Sequence, residues 1–547
     1  MSLRPYPMSA VPTETARVAQ AAFPKGNLYM TLQDKLGTLY MDDDFADLFP
    51  THGQPAACPW RLALICLLQC VEHLSDRQAA EAVRSRIDWK YALGLELTDP
   101  GFDFSVLSEF RARLVAGHAA LRLLDTLLER LRALGLLKQR GRQRTDSTHV
   151  LAAIRVLNRL ERVGETLRAA LNSLAVVVPA WWQGIAPLAW YDRYGSRVEN
   201  YHLPKTEAAR RELATVIGMD GKILLDALDA TTEHRWLQEI PAVHTLRRVW
   251  AEQYVNMGGT LVWREVKDMP SPAELIASPD DTGARYSTKR SVEWVGYNVH
   301  LTETCDEETP HVIVNVETTP ATTPDDNMVE VIHASLAPRE LLPAEHLVDK
   351  GYTDADVLVA SQQKYDVAIG GPVAGDPSWQ ARTGEGFDKS QFLVDGDRRV
   401  VTCPAGQQSL SWLPNTYPKN GMVWEVRFAR KDCTPCVYRA QCTKARPEPR
   451  MLGLQAREHH EALHAARQRQ TTEAFRLQYA ARAGIEGTHE QAIRRCGLRR
   501  SRSIGQAKIH LQHVITATAI NVVRVTSWLE GIPRAKTRRS ACAALAA

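Results

Sequence analysis

A chain of 547 residues is too long for one hydrophobic core and should divide into several domains. The composition is ordinary globular, and the richest apolar run, Leu62 to Val71, contains Gln69 and falls far short of a membrane span. The net charge of +4 conceals an asymmetry: residues 471–547 hold 13 Lys or Arg against 4 Asp or Glu, a local +9 that leaves −5 for the rest. A concentrated excess of that kind suggests a phosphate-rich partner.

The amino terminus, MSLRPYPMSAVPTETARVAQ, lacks the apolar stretch of a signal peptide, so a cytoplasmic location is expected. In that compartment ten cysteines point to thiols or metal ligands rather than a disulfide scaffold. Residues 1–40 carry little pattern and read as an arm. Residues 41–137 read as helical: Pro59 can open one helix, Ser75 with Gln78 forms a capping box for a second, and Ser105 can cap a third. Arg84, Arg86, Arg111 and Arg113 suit a small DNA-reading domain and equally suit a plain bundle. A longer helix is expected from about Ala119 to Leu137.

At 138–153 the pattern changes to a strand in which alternation sets Asp146 and Thr148 on one face and Ser147 and His149 on the other. An isolated Asp at a strand end is otherwise a turn or cap. Residues 154–280 return to helical periodicity, broken by Pro179, Pro204, Pro241 and Pro270, with Trp181, Trp182, Trp190, Trp236 and Trp250 as the expected core. In 281–375 two strands, Trp294–Thr302 and His311–Glu317, flank an acidic turn and form a hairpin. A helix capped by Asp325 or Asp326 follows, then a short buried strand ending at Asp349, a helix opened by Thr353, and a strand from about Asp366 to Gly370.

Residues 376–470 form a cysteine-rich insertion. Cys403, Cys433, Cys436 and Cys442 can supply four thiolates to one structural Zn²⁺, with no open coordination position. Cys58, Cys66, Cys70, Cys305, Cys496 and Cys542 lack such spacing and read as buried small residues. In 471–530, Tyr479, Arg482 and Glu486 stand at i, i+3 and i+7 on one helical face, with Glu490 a turn further on. Arg494, Arg495, Arg499, Arg500, Arg502 and Lys508 follow as phosphate-contact candidates, although a solvated basic helix reads the same way. Residues 531–547 are a basic tail. The order of elements is that of a ribonuclease-H-like α/β core, a mixed sheet interrupted by a helical and a cysteine-rich insertion and preceded by an all-α domain. In such a core Asp146 and Asp349 can converge.

Several stretches together carry a family resemblance: PWRLALICLLQCVEHLSDRQAAEAVRSRIDWKYALGL, TDST around Asp146, ARYSTKRSVEWVGYNVHL, VDKGY around Asp349, the cysteine cluster and RAGIEGTHEQAIRRCGLRRSR around Glu486. In that order they resemble the DDE transposases of bacterial insertion sequences, specifically those with an InsH-type helical amino-terminal domain. The resemblance implies that Asp146, Asp349 and Glu486 are the catalytic carboxylates, holding two Mg²⁺ ions (or Mn²⁺ in their place). These would serve hydrolysis at the ends of a DNA element and transesterification into target DNA. It implies DNA contacts from Tyr479 and Arg482, partners in the form of duplex DNA carrying terminal inverted repeats and target, no membrane, a homodimer when two ends are synapsed, and residence at the bacterial nucleoid. One departure stands out: the basic residue the family pattern carries seven positions after the glutamate is Ile493 here, leaving Arg494 or Lys508 to serve. A metal-dependent nuclease that never joins strands and a non-catalytic DNA-binding relic are the rival readings.

Overall fold

The computed structural model describes residues 2–3, 10–258, 260–289, 291–417, 421–446 and 448–534, so Cys542 and most of the basic tail lie outside the described residues. The segment 1–40 carries two helices, α1 (Thr13–Ala22) and α2 (Leu28–Leu36). Asn27 caps α2 by accepting the Tyr29 and Met30 N–H groups, and Tyr29, Leu32 and Leu36 are buried on its inner face. Too short to show more than two turns of periodicity, this helix escapes a reading by pattern. Next come α3 (Pro59–Val71), opened by Pro59, and α4 (Asp76–Ser85), opened by the Ser75–Gln78 capping box. They are followed by α5 (Ile87–Ala92), α6 (Ser105–Ala116) and α7 (Arg122–Ala133). Ser105 is the first residue of α6 and makes no side-chain cap.

The first strand is β1 (Arg142–Leu151). The helical insertion holds α8 (Arg159–Val177), α9 (Pro179–Ile185), α10 (Leu188–Tyr194), α11 (Glu207–Ala230) and α12 (Pro241–Gln253), then a hairpin of β2 (Tyr254–Met257) and β3 (Thr260–Trp263). It has its own core, in which Trp182, Trp190 and Trp250 are buried and Trp181 is packed at the margin. Trp236, expected there, is instead 49% exposed in a 3-10 turn. The sheet resumes with β4 (Arg285–Lys289), β5 (Val292–Thr304) and β6 (Ile313–Pro320), followed by α13 (Met328–Leu336), β7 (Glu345–Val348), α14 (Ala355–Tyr365) and β8 (Ala368–Gly370). Two caps differ from expectation. Asp354, not Thr353, opens α14, accepting the Val357 N–H at 2.7 Å, and no side chain caps α13.

The cysteine-rich segment comprises α15 (Trp379–Thr383), β9 (Leu393–Asp395), β10 (Val400–Thr402), β11 (Ser409–Tyr417), β12 (Gly421–Phe428), α16 (Arg430–Cys433), α17 (Arg439–Cys442) and β13 (Met451–Leu454), around a small core of Phe392, Val401, Val426 and Phe428. The chain closes with α18 (Arg457–Arg469), α19 (Glu473–Ala480), α20 (Gly484–Cys496) and α21 (Gln506–Leu529). No helix among the described residues is long and apolar enough to cross a membrane.

The main sheet runs β6–β5–β1–β7–β8, with β4 extending the β6 edge along the first half of β5. β5 is antiparallel to β1, whereas β7 and β8 continue in parallel on its other side. Gly296 permits the close β1–β5 approach, because a Cβ there would collide with the Val150 carbonyl. The long helix α21 packs on the sheet, and its buried Asn521 completes the β6 backbone by exchanging two 2.7 Å hydrogen bonds with Ile313. Helices α2 to α7, the sheet, α13, α20 and α21 share a single hydrophobic core, so the amino-terminal helices are built into the sheet domain rather than set apart from it. Thr31 ties α2 to the end of α21 through a 2.6 Å hydrogen bond to Glu530.

Candidate active site

The register of the sheet brings the two aspartates together. β7 pairs with β1 from Arg142↔Glu345 to Thr145↔Val348, so Asp146 and Asp349 are the next residue on each of two adjacent parallel strands. Asp146 does not end β1, which runs on to Leu151 beside β5; what ends at Asp146 is the pairing with β7. The widening gap opens a cleft of about 280 Å³ lined by both aspartates together with Glu486, Arg482, Arg499 and Lys289.

Glu486 reaches this edge because α20 is bolted to β1 and β5. Glu303, fully buried on β5, receives Arg144 at 2.6 Å from β1, Arg524 at 2.7 Å from α21 and the Thr488 hydroxyl at 2.6 Å from α20. Arg144 also donates to the Ala481 carbonyl at the entry to α20, which requires glycine at 484, where a Cβ would strike the guanidinium. Burial alone would raise the Glu303 carboxyl, yet Arg524 and Arg144 overcome it and hold the group at about 2. Tyr479, Arg482 and Glu486 do not lie on one unbroken helix. A 3-10 turn, Ala481–Ala483, separates α19 from α20 and carries Arg482 inward.

The Arg482 guanidinium, 12% exposed, sits among all three carboxylates. It lies 2.6 Å from Asp146, 3.6 Å from Asp349 and 3.6 Å from Glu486. Burial pushes the Asp146 carboxyl up, and Asp349 adds to that rise, against the pull of Arg482 and of the Ser147 N–H that Asp146 accepts at 2.8 Å. Glu486 is 71% exposed and Asp349 45%, so both can turn toward a ligand in the cleft. Tyr479 stacks on Phe475 at 5.5 Å, and burial, then Asp349 and Asp146, push its phenol up. Among the described residues no set of three or more His, Cys, Asp or Glu side chains stands in a geometry ready to hold a metal ion. That holds for the four clustered cysteines too, and at the cleft the carboxylates surround a guanidinium. As a donor set, all oxygen and all anionic, they are of the kind that suits a hard divalent cation.

The basic stretch divides. Arg499 reaches the cleft, donating to Thr148 at 3.1 Å, because residues 499–501 bridge the end of β1 through hydrogen bonds with Leu151. Arg500 is exposed beside it. Arg494 instead pairs outward with Glu490, Arg495 is half-buried, Arg502 donates to His73 and to the Leu74 carbonyl, and Lys508 lines a separate cavity of about 540 Å³ against the amino-terminal helices. Ile493 packs against the core. Neither Arg494 nor Lys508 therefore stands at the carboxylates.

Two groups at the site were not foreseen. Lys289 came within a stretch noted only for its pattern. Asp325, read as a helix cap, turns its carboxylate to the Ser147 hydroxyl at 3.1 Å just behind the cleft. A charged pair of aspartates before a helix signals a cap so strongly that only the fold reveals the other use.

Cys403, Cys433, Cys436 and Cys442 line a single cavity of about 30 Å³. The Gln407 N–H donates to the Cys403 sulfur at 3.4 Å, and burial, with the other three cysteines adding, pushes the Cys442 thiol up. Of the other cysteines, Cys66, Cys305 and Cys496 are buried and Cys58 and Cys70 half-buried.

A family model for a transposase DDE domain matches residues 402–526, and one for a transposase domain (DUF772) matches residues 17–113. The first covers the cysteine cluster and Glu486; the second covers most of α1 through α6. Comparison with curated proteins and with solved structures returns no match.

Proposed function

We propose, from the premise that the chain belongs with the insertion-sequence DDE transposases, that it cuts the ends of a DNA element and joins them to target DNA with Asp146, Asp349 and Glu486 as its working carboxylates. The observation that carries the reading is the convergence of three carboxylates, from positions 146, 349 and 486, on one guanidinium in one cleft. The strand order β6–β5–β1–β7–β8, with a single antiparallel strand beside β1 on that side, supports a ribonuclease-H-like core. Two Mg²⁺ ions, or Mn²⁺ in their place, would supply Lewis acidity for an in-line phosphodiester displacement. The residues of the chain do the rest. Asp146 and Asp349 present oxygens from adjacent strand positions, Glu486 closes the set from α20, and Arg482 offsets their mutual repulsion until a phosphate enters. Tyr479 stands close enough to feel the charges of Arg482, Asp349 and Asp146. Because two ends must be held at once, at least two copies act together.

The test is strand joining. A labelled duplex carrying the inverted repeat from DNA flanking the coding segment is expected to be cut in Mg²⁺ and joined to a target plasmid; cutting without joining would assign a nuclease, and neither would assign a relic.

The four cysteines are assigned to one structural Zn²⁺ in the same reading. Sulfurs that penalise one another as thiolates are stabilised when a cation sits among them. Near-stoichiometric zinc is expected in the purified protein and is expected to disappear in a Cys433→Ser, Cys436→Ser double mutant. Zinc that persists in the double mutant removes the assignment.

Arg499 and Arg500 are assigned to phosphate binding. Replacing both by Ala should flatten the plot of log affinity against log salt by about one unit for each phosphate no longer neutralised. An unchanged slope returns them to plain surface.

A further inference from the structure

We propose that Lys289 is a substrate-binding residue of the carboxylate cleft, gripping a phosphate of the DNA strand being cut. This inference rests on the DNA-cleaving reading above and adds a residue to it. Lys289 is the last residue of β4, at the tip of the β4–β5 hairpin, and its side chain is 58% exposed where it lines the same cleft as Asp146, Asp349 and Glu486.

The argument is one of charge supply. A phosphodiester entering a cleft lined by three carboxylates, with Asp325 behind them, meets repulsion that bound Mg²⁺ would relieve in part and that cationic side chains must relieve in the rest. Arg482 is already committed to the three carboxylates, while Arg499, whose Nε donates to the neutral Thr148 hydroxyl, keeps its charge for the phosphate contact assigned to it above, so Lys289 is a second supplier beside it. Arg494 and Arg502 are paired elsewhere. Among the described residues the Lys289 ammonium has one ion-pair partner, Asp325, at 3.7 Å, beyond hydrogen-bonding distance; its charge also reaches Asp146, and no hydrogen bond engages its three donors. Asp325 itself is served by Ser147. An ammonium on a flexible stem, largely in solvent, facing a carboxylate site without a hydrogen-bonded partner, is suited to take a ligand oxygen.

The competing account is that Lys289 only balances Asp325, and the test separates the two. DNA affinity and kcat/KM for end cutting are measured on the flanking inverted-repeat duplex for wild type, Lys289→Met, Lys289→Arg and Asp325→Asn. Neutral methylphosphonates are placed one at a time around the cut. Lys289→Met should lose on the order of tenfold in affinity and in kcat/KM, the scale of one charge-assisted hydrogen bond, and Lys289→Arg should recover most of it. Asp325→Asn should bind DNA no more weakly than wild type. At one phosphate, a methylphosphonate should weaken wild type and leave Lys289→Met unaffected. Cutting by wild type with Lys289→Met equal to it at every phosphate overturns the Lys289 assignment alone, as does an Asp325→Asn variant that reproduces the Lys289→Met loss. A wild-type protein that binds the duplex but never cuts overturns the cleavage reading and the assignment with it.

Discussion

Glu486→Gln is expected to fold and bind end DNA like the wild type while losing metal-dependent cutting and joining by at least about a thousandfold, since members of a unit that acts together are individually indispensable. The side chain is 71% exposed and its contact with Arg482 is 3.6 Å, so removing its charge should leave stability almost unchanged. Asp349→Asn should behave alike. Asp146→Asn should lose activity equally and change stability by less than about 1 kcal/mol, because the pairing with Arg482 that it gives up is outweighed by the burial that already disfavours its charge, and Arg482 keeps Asp349 and Glu486. Combining the mutations should add little to the loss of activity from any one. Glu490→Gln is the control: Glu490 faces outward and pairs with Arg494, so this variant should cut normally. End cleavage of a labelled duplex in Mg²⁺, read beside thermal unfolding, decides the matter. Robust cutting by Glu486→Gln beside an inert Glu490→Gln would move the glutamate assignment, and robust cutting by Asp146→Asn would remove the site.

How much of this was legible beforehand depended on the range of the physics involved. Strand alternation around Asp146 and the Ser75–Gln78 capping box are local signals, and β1 and α4 stand where those signals placed them. The adjacency of positions 146 and 349 followed from the order of elements, and the register Thr145↔Val348 supplies the geometry that order alone lacks. The fate of individual charges was not legible. Nothing local distinguishes Arg499, which reaches the cleft through the bridge to Leu151, from Arg494 five residues earlier, which turns back to Glu490. Asp325 gave a cap signal and Trp236 a core signal, and tertiary contacts overrode both. Glu303 left no trace at all, because an acidic residue at the end of an alternating strand reads as solvent-facing until two arginines from distant segments are seen to converge on it.

That convergence makes Glu303→Gln the substitution expected to harm the protein most without touching the cleft. The introduced amide could still accept from Thr488, but Arg144 and Arg524, 7% and 19% exposed, would be left without the charge that justifies their burial. Removing one partner of a buried ionic group costs about 3–5 kcal/mol. The same network sets a pH dependence. Burial is the largest influence on the Glu303 carboxyl and acts to raise it, yet Arg524 and Arg144 together hold it at about 2, below its ordinary value of 4.5. A carboxyl depressed on folding contributes stability that is complete above its unfolded value and is lost as pH falls through the folded one. Wild-type stability should therefore decline between about pH 4.5 and 2 more steeply than that of Glu303→Gln, which is already weakened at pH 7 and has no such group to titrate. Urea unfolding across that window measures the difference, and parallel curves for the two proteins would deny Glu303 this role. Hydrogen exchange gives the link to function. Since Thr488, Gln491 and the Ala481 carbonyl are the points at which Arg524, Glu303 and Arg144 hold the helix start, the amides of Gly484–Cys496 should exchange faster in Glu303→Gln before the rest of the sheet loosens. With α20 unfastened, Glu486 would no longer be held opposite Asp146, and cutting should fall in step with that exchange rather than with any change in the cleft's own residues.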